Sequence, residues 1–198
     1  KMPSVPIPNS MFKNNGNLKF SNESANWGLD KPSFSNGAVY ADLDNDGDLD
    51  LVINNVNQPA SIYKNKRIEQ SKNNTQESGD NEDSKWMAVQ LQFQKPNLFA
   101  IGSTVKIFKG EEIITRELIP SKGFQSSVEY KLTIGLGTGK VDSMQIIWPN
   151  RMVITIQQPA ANQLHKISYD AGKAIPYSAG QSVAGKLLEN NLTSNNST

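Results

Sequence analysis

The sequence predicts an all-β protein of two modules, a small β-sheet blade at 1–66 followed by an antiparallel β-sandwich of about seven strands at 86–170. Three observations carry this. Apolar and polar residues alternate with a period of two through most of 86–169, which is the pattern of half-buried strands. Turn chemistry punctuates the chain, as in Asn14-Asn15-Gly16-Asn17 between two apolar-polar runs. The nine residues 42–50, Asp-Leu-Asp-Asn-Asp-Gly-Asp-Leu-Asp, form an acidic loop flanked on both sides by strand-forming residues.

The elements follow in order. Met11-Phe12-Lys13 and Leu18-Lys19-Phe20 flank the Asn-Gly turn and predict a hairpin. Runs 36–41 and 49–54 bracket the acidic loop, and Ala60-Ser61-Ile62-Tyr63-Lys64 offers a further short edge. Residues 67–85 are polar and charged with hardly an apolar side chain, so they cannot form a core and are expected to be a linker or long loop. In the second module strands are expected at 86–93, 104–108, 113–119, 128–134, 144–148, 152–156 and 164–169. The stretch 171–198 is poor in aromatics and ends in Asn, Ser and Thr; a short helix is expected only at 183–188, in an otherwise loose tail.

Composition narrows the function classes. Twenty Lys and Arg against nineteen Asp and Glu leave a net charge of +1, with no basic cluster for nucleic acid. No run approaches the roughly 18 apolar residues of a membrane span, so no membrane-spanning segment is expected. The opening Lys1-Met2-Pro3-Ser4 lacks the apolar core of a signal peptide, and a mature or excised fragment fits best. Absence of cysteine excludes a disulfide scaffold and thiolate chemistry.

Five carboxylates within nine residues repel one another unless a cation sits among them. Calcium loops place hard oxygen ligands at alternate positions with Gly at the sixth, and the segment supplies Asp42, Asp44, Asp46, Gly47, Asp48 and Asp50 in that order, the seventh position offering its backbone carbonyl. An EF-hand would continue to Glu at position 12, where this chain has Ile53 in the run Leu51-Val52-Ile53; the loop therefore belongs between strands rather than helices. Oxygen sites of extracellular modules bind at about 10⁻⁴–10⁻³ M, which favours a calcium-rich compartment outside the cell.

The first module resembles the FG-GAP or VCBS repeat of integrin-like β-propellers. The resemblance rests on Met11-Phe12-Lys13-Asn14-Asn15-Gly16, on Phe34 to Asp42, on the Asp loop and on Ile62-Tyr63-Lys64-Asn65. It implies a propeller-type four-stranded blade stabilised by Ca²⁺ on Asp42, Asp44, Asp46, Asp48 and Asp50. One copy implies either upstream repeats of the same chain or a blade packed on the second module. The second module is similar to the ASPIC/UnbV domain, through Ala100-Ile101-Gly102-Ser103-Thr104-Val105, Ile134-Gly135-Leu136-Gly137 and Ile147-Trp148-Pro149-Asn150. Ser103 stands where that family commonly has Ala, and Asn150-Arg151 replaces its usual turn after Trp-Pro. The resemblance implies architecture and an exported location, and no reaction.

Other signals have plainer readings. Gly135-Leu136-Gly137-Thr138-Gly139-Lys140 lacks the spacing of a phosphate loop and reads as a tight turn. His165, the one histidine, lies in an alternating strand without a nucleophile motif. Glu111, Glu112, Glu117 and Glu129 read as solvated strand faces, although a pair of them could serve glycoside hydrolysis. Trp27 is the better exposed candidate for stacking on a ligand, while Trp86 and Trp148 lie in apolar strands. Sequons at Asn22, Asn73, Asn191, Asn195 and Asn196 matter only in a eukaryotic source. The expected function is a calcium-stabilised extracellular, periplasmic or cell-surface module that binds a protein or glycan, without catalysis. The alternatives are part of a polysaccharide-processing enzyme and a purely structural propeller cap.

Overall fold

The computed structural model describes residues 5–67, 85–123 and 125–178. All its named elements are strands: β1 (Ile7–Pro8), β2 (Phe12–Asn14), β3 (Phe20–Asn22), β4 (Pro32–Ser33), β5 (Ser35–Ala41), β6 (Asp50–Asn55), β7 (Gln58–Tyr63), β8 (Lys85–Gln92), β9 (Thr104–Lys109), β10 (Glu112–Glu117), β11 (Lys131–Gly137), β12 (Ser143–Ile147), β13 (Met152–Gln157), β14 (Leu164–Ser168) and β15 (Ile175–Pro176). The chain divides into two compact units, Lys1–Gly79 with Pro120–Glu129, and Asp80–Ile119 with Tyr130–Thr198. The linker expected at 67–85 and the helix expected at 183–188 lie almost wholly or wholly outside the described residues.

In the first unit β5, β6 and β7 form an antiparallel meander, with Val39 opposite Val52 and Val52 opposite Ile62. The expected four-stranded blade is realised as these three strands and two separate ribbons, because the candidates for the fourth strand, β2 and β3, pair with each other. Their turn is fixed by Asn14 Oδ1, which accepts from the Gly16 amide at 2.9 Å, and by Gly16 at φ +80°. The β1–β4 ribbon stops at two residues: Pro8 faces Pro32, and neither has an amide hydrogen to extend the ladder.

In the second unit the expected strands assemble into a five-stranded sheet, ordered β10-β9-β12-β13-β15, and a three-stranded one, ordered β11-β8-β14. Both send side chains into one core: Met87, Val89 and Leu91 from β8 and Ile134 and Leu136 from β11 meet Val105, Ile107, Met144 and Ile146 from β9 and β12. Two-residue alternation is what makes this possible, since one face of each strand is apolar. All pairings are antiparallel except β14 with β8, where Leu164 lies opposite Ala88. That pair is not joined by a hairpin, so no turn forces its direction. Trp148 closes the core, stacked on Phe93 with ring centroids 5.7 Å apart and met edge-on by Tyr169 at 5.3 Å. The polar tip of Tyr169 accepts from Asn150 Nδ2 at 2.9 Å. The stretch expected to be loose beyond 170 includes β15, which pairs Ile175 with Val153.

Between β10 and β11 the chain leaves the second unit. Pro120–Glu129 groups with the first unit and closes on itself, the Val128 amide donating to the Pro120 carbonyl and the Lys122 amide to that of Ser126. Strand β11 therefore starts at Lys131, three residues later than the alternation from Val128 suggests.

Candidate metal site

The acidic loop joins β5 to β6, whose last and first residues, Ala41 and Asp50, face each other in the ladder. A connection this tight needs left-handed backbone, supplied by Asn45 at φ +58° and Gly47 at φ +100°. Asp50 braces it from the far end. Its buried carboxylate accepts from the Leu43 amide at 3.1 Å through Oδ2 and from the Asn65 amide at 2.9 Å through Oδ1, tying the loop to the chain that leaves β7. Asn65 Nδ2 donates in turn to the Leu49 carbonyl at 3.4 Å.

Asp42, Asp44 and Asp46 are the carboxylates that converge: each offers an oxygen, and these oxygens all lie within 4.8 Å of one another. Asp48 and Asp50 stand outside that group, both of them buried. Asp46 Oδ1 accepts from the Asp48 amide at 3.0 Å, which orients the carboxylate. Its other oxygen, Oδ2, is buried and has no hydrogen-bond partner. The Asp42 amide donates to Glu129 Oε1 at 3.4 Å, so the Pro120–Glu129 segment reaches the root of the loop. Lys64, the residue after β7, sets its Nζ 2.6 Å from Asp44 Oδ2. That hydrogen bond holds the Asp44 carboxyl below the usual carboxylate range.

This donor set suits a hard cation. Calcium sits about 2.3–2.6 Å from each oxygen ligand, so two oxygens on one ion are at most about 5 Å apart, and the three carboxylates meet that limit. Zinc would call for nitrogen or sulfur donors, which the loop lacks.

Two residues at the site escape a reading of the sequence. Lys64 follows from the β6–β7 register, since Tyr63 opposite Leu51 brings the next residue level with the loop end; a hairpin register was the signal. Glu129 is 87 positions away from Asp42, and no local pattern announces it. The remaining candidates fall in ordinary places. Gly137 and Gly139 have φ of +62° and +87°, as a tight turn requires. His165 is half-buried with Nε2 2.8 Å from the Ala160 carbonyl. Glu111, Glu112 and Glu117 are exposed. Trp148 is buried, Trp86 half-buried, and Trp27 is 50% exposed.

No helix among the described residues is long and apolar enough to cross a membrane. No curated protein matches the chain. Residues 93–174, which hold β9 to β14, match the family ASPIC and UnbV, and over that stretch the chain is similar to its members.

Proposed function

We propose that the 42–50 loop is a structural Ca²⁺ site in a repeat-type blade, and that the chain is a non-catalytic binding or scaffolding module of an exported protein. The observation that carries the reading is the convergence of Asp42, Asp44 and Asp46 oxygens within 4.8 Å, one neighbouring oxygen, Asp46 Oδ2, being buried without a hydrogen-bond donor. Calcium at this point would neutralise the cluster and fix a loop whose shape otherwise depends on Asp50 and two left-handed residues. The likeness of the second unit to ASPIC and UnbV supports an extracellular setting, and the exposed Trp27 gives the blade an aromatic face for a glycan or protein partner.

Calcium titration tests the metal. At a calcium concentration ten times the dissociation constant the first unit should gain about 1.4 kcal/mol, a rise of roughly 5–10 °C in its melting temperature. Asp44→Ala should remove most of that response, since it deletes a hard ligand and leaves the backbone unchanged. Identical melting in millimolar calcium and in excess chelator would overturn the reading.

A further inference from the structure

The Asp42–Asp44–Asp46 cluster already faces a cation of the chain itself. Three carboxylates with oxygens within 4.8 Å of one another repel strongly, and Lys64 Nζ lies 2.6 Å from Asp44 Oδ2, on the middle member of the three. Lys64 is held in place from both sides: Tyr63 is the last residue of β7 and pairs with Leu51, while the Asn65 amide is bonded to Asp50 Oδ1. Its backbone is therefore pinned to the loop, and the flexible stem carries the ammonium to Asp44. A lysine suits that task because its ammonium is a compact point charge on a flexible four-carbon stem, unlike the rigid fork of arginine. Both partners of the ion pair are substantially exposed, so releasing the ammonium to water is cheap.

We propose that Lys64 is a built-in counter-cation of this loop: it neutralises Asp44 when calcium is scarce, and it must give up Asp44 Oδ2 when calcium enters. The inference rests on the calcium reading above and adds its regulation. With the ammonium on Asp44 the loop retains its closed form at low calcium, and the same contact lowers calcium affinity by competing for one ligand oxygen. The site is thereby shifted toward responding at higher calcium concentrations while the blade stays folded below them.

Calcium calorimetry on the full chain, with Lys64→Met, Lys64→Arg and Lys19→Met beside the native sequence, tests this. Lys64→Met keeps the length of the stem and removes the charge, and Lys19→Met makes the same charge change in the β2–β3 turn. Lys64→Met should bind calcium about two- to five-fold more tightly than the native chain, and more tightly than Lys19→Met. In chelator its Asn65 amide should exchange about two- to five-fold faster, because the loop has lost its internal cation. Lys64→Arg should follow the native chain in chelator. Should methionine impair folding, Lys64→Gln provides the same comparison with a polar side chain. An affinity in Lys64→Met equal to or weaker than that of Lys19→Met overturns the competition while leaving the calcium site intact. A native chain that takes up no calcium at about 10 mM overturns the metal reading itself, an outcome visible before any variant is compared.

Discussion

The two units keep different things out of water. Among the described residues the first buries three apolar side chains, Leu29, Ile53 and Pro120, against five polar ones, Ser24, Asp42, Asp48, Asp50 and Asn55. The second buries a continuous apolar core and two polar side chains, Ser103 and Ser143. In the first unit Asn55, Ser24 and Asp50 are tied into local networks: Asn55 Nδ2 donates to the Pro59 carbonyl and to Ser61 Oγ, Ser24 Oγ accepts from the Met11 amide and donates to Asn22 Oδ1, and Asp50 accepts from the Leu43 and Asn65 amides. Hydrogen bonds add little net stability when made and cost much when broken, whereas apolar burial stabilises in proportion to its area. The second unit thus has a reserve of stability that the first lacks. A bound cation would matter most where apolar burial is least.

The largest effect should come from cutting into the apolar core. Trp148→Ala removes a fully buried ring that stacks on Phe93 and meets Tyr169, and it should cost the second unit about 3–5 kcal/mol. Urea denaturation followed by hydrogen exchange at β8 and β12 amides reads that loss directly. A cost below about 1 kcal/mol would mean that the core is not what holds the unit together.

Asp50 offers the matching cut in the polar unit. Replacing it with Ala leaves the Leu43 and Asn65 amides without their acceptor, for an expected loss of about 2–4 kcal/mol. Asp50→Asn retains one acceptor oxygen and places a donor where the other was, so it should lie between the native chain and Asp50→Ala. Equal stability of all three in chelator would show that the loop does not depend on this carboxylate.

How much of this contrast is legible in the sequence depends on which period governs each segment. Where burial is apolar, alternation locates the strands: β9, β13 and β14 begin at the residues the pattern predicts, and β8 and β12 one residue before. Where pairing rests on two residues, as in β1, β4 and β15, no window is long enough to show a period, and each of those strands consists of one apolar or small residue beside a proline. The acidic loop is legible because its alternate spacing of Asp is local, and so is Gly47 at its turn. Spacing cannot separate the roles of the five Asp side chains. Asp50 follows the same alternate spacing as Asp42, Asp44 and Asp46, yet both its oxygens face backbone amides, one of them from Asn65, which only the β6–β7 hairpin brings near. The excursion of Pro120–Glu129 into the first unit is likewise long-range: Val128 and Tyr130 alternate as a strand would, and the Glu129 carboxylate instead receives the Asp42 amide.

The smallest expected effect is the most discriminating, because it reverses the sign seen at Asp50. Ser103 is fully buried in the second unit and its Oγ has no hydrogen-bond partner, while its backbone is bonded normally, the amide to the Ala100 carbonyl and the carbonyl to the Leu118 amide. The hydroxyl therefore carries a desolvation cost with no bond to offset it. Ser103→Ala removes one oxygen, retains the backbone bonds and leaves a gap much smaller than a methyl deletion in the core would. The two terms oppose each other, and the desolvation term is the larger, so the variant should be more stable by up to about 1 kcal/mol. A rise in urea midpoint at unchanged m-value would establish that polar atoms are tolerated in this unit, whereas in the first they hold it together. A loss of more than about 1 kcal/mol would place a water molecule on Ser103 Oγ and make the second core partly polar as well.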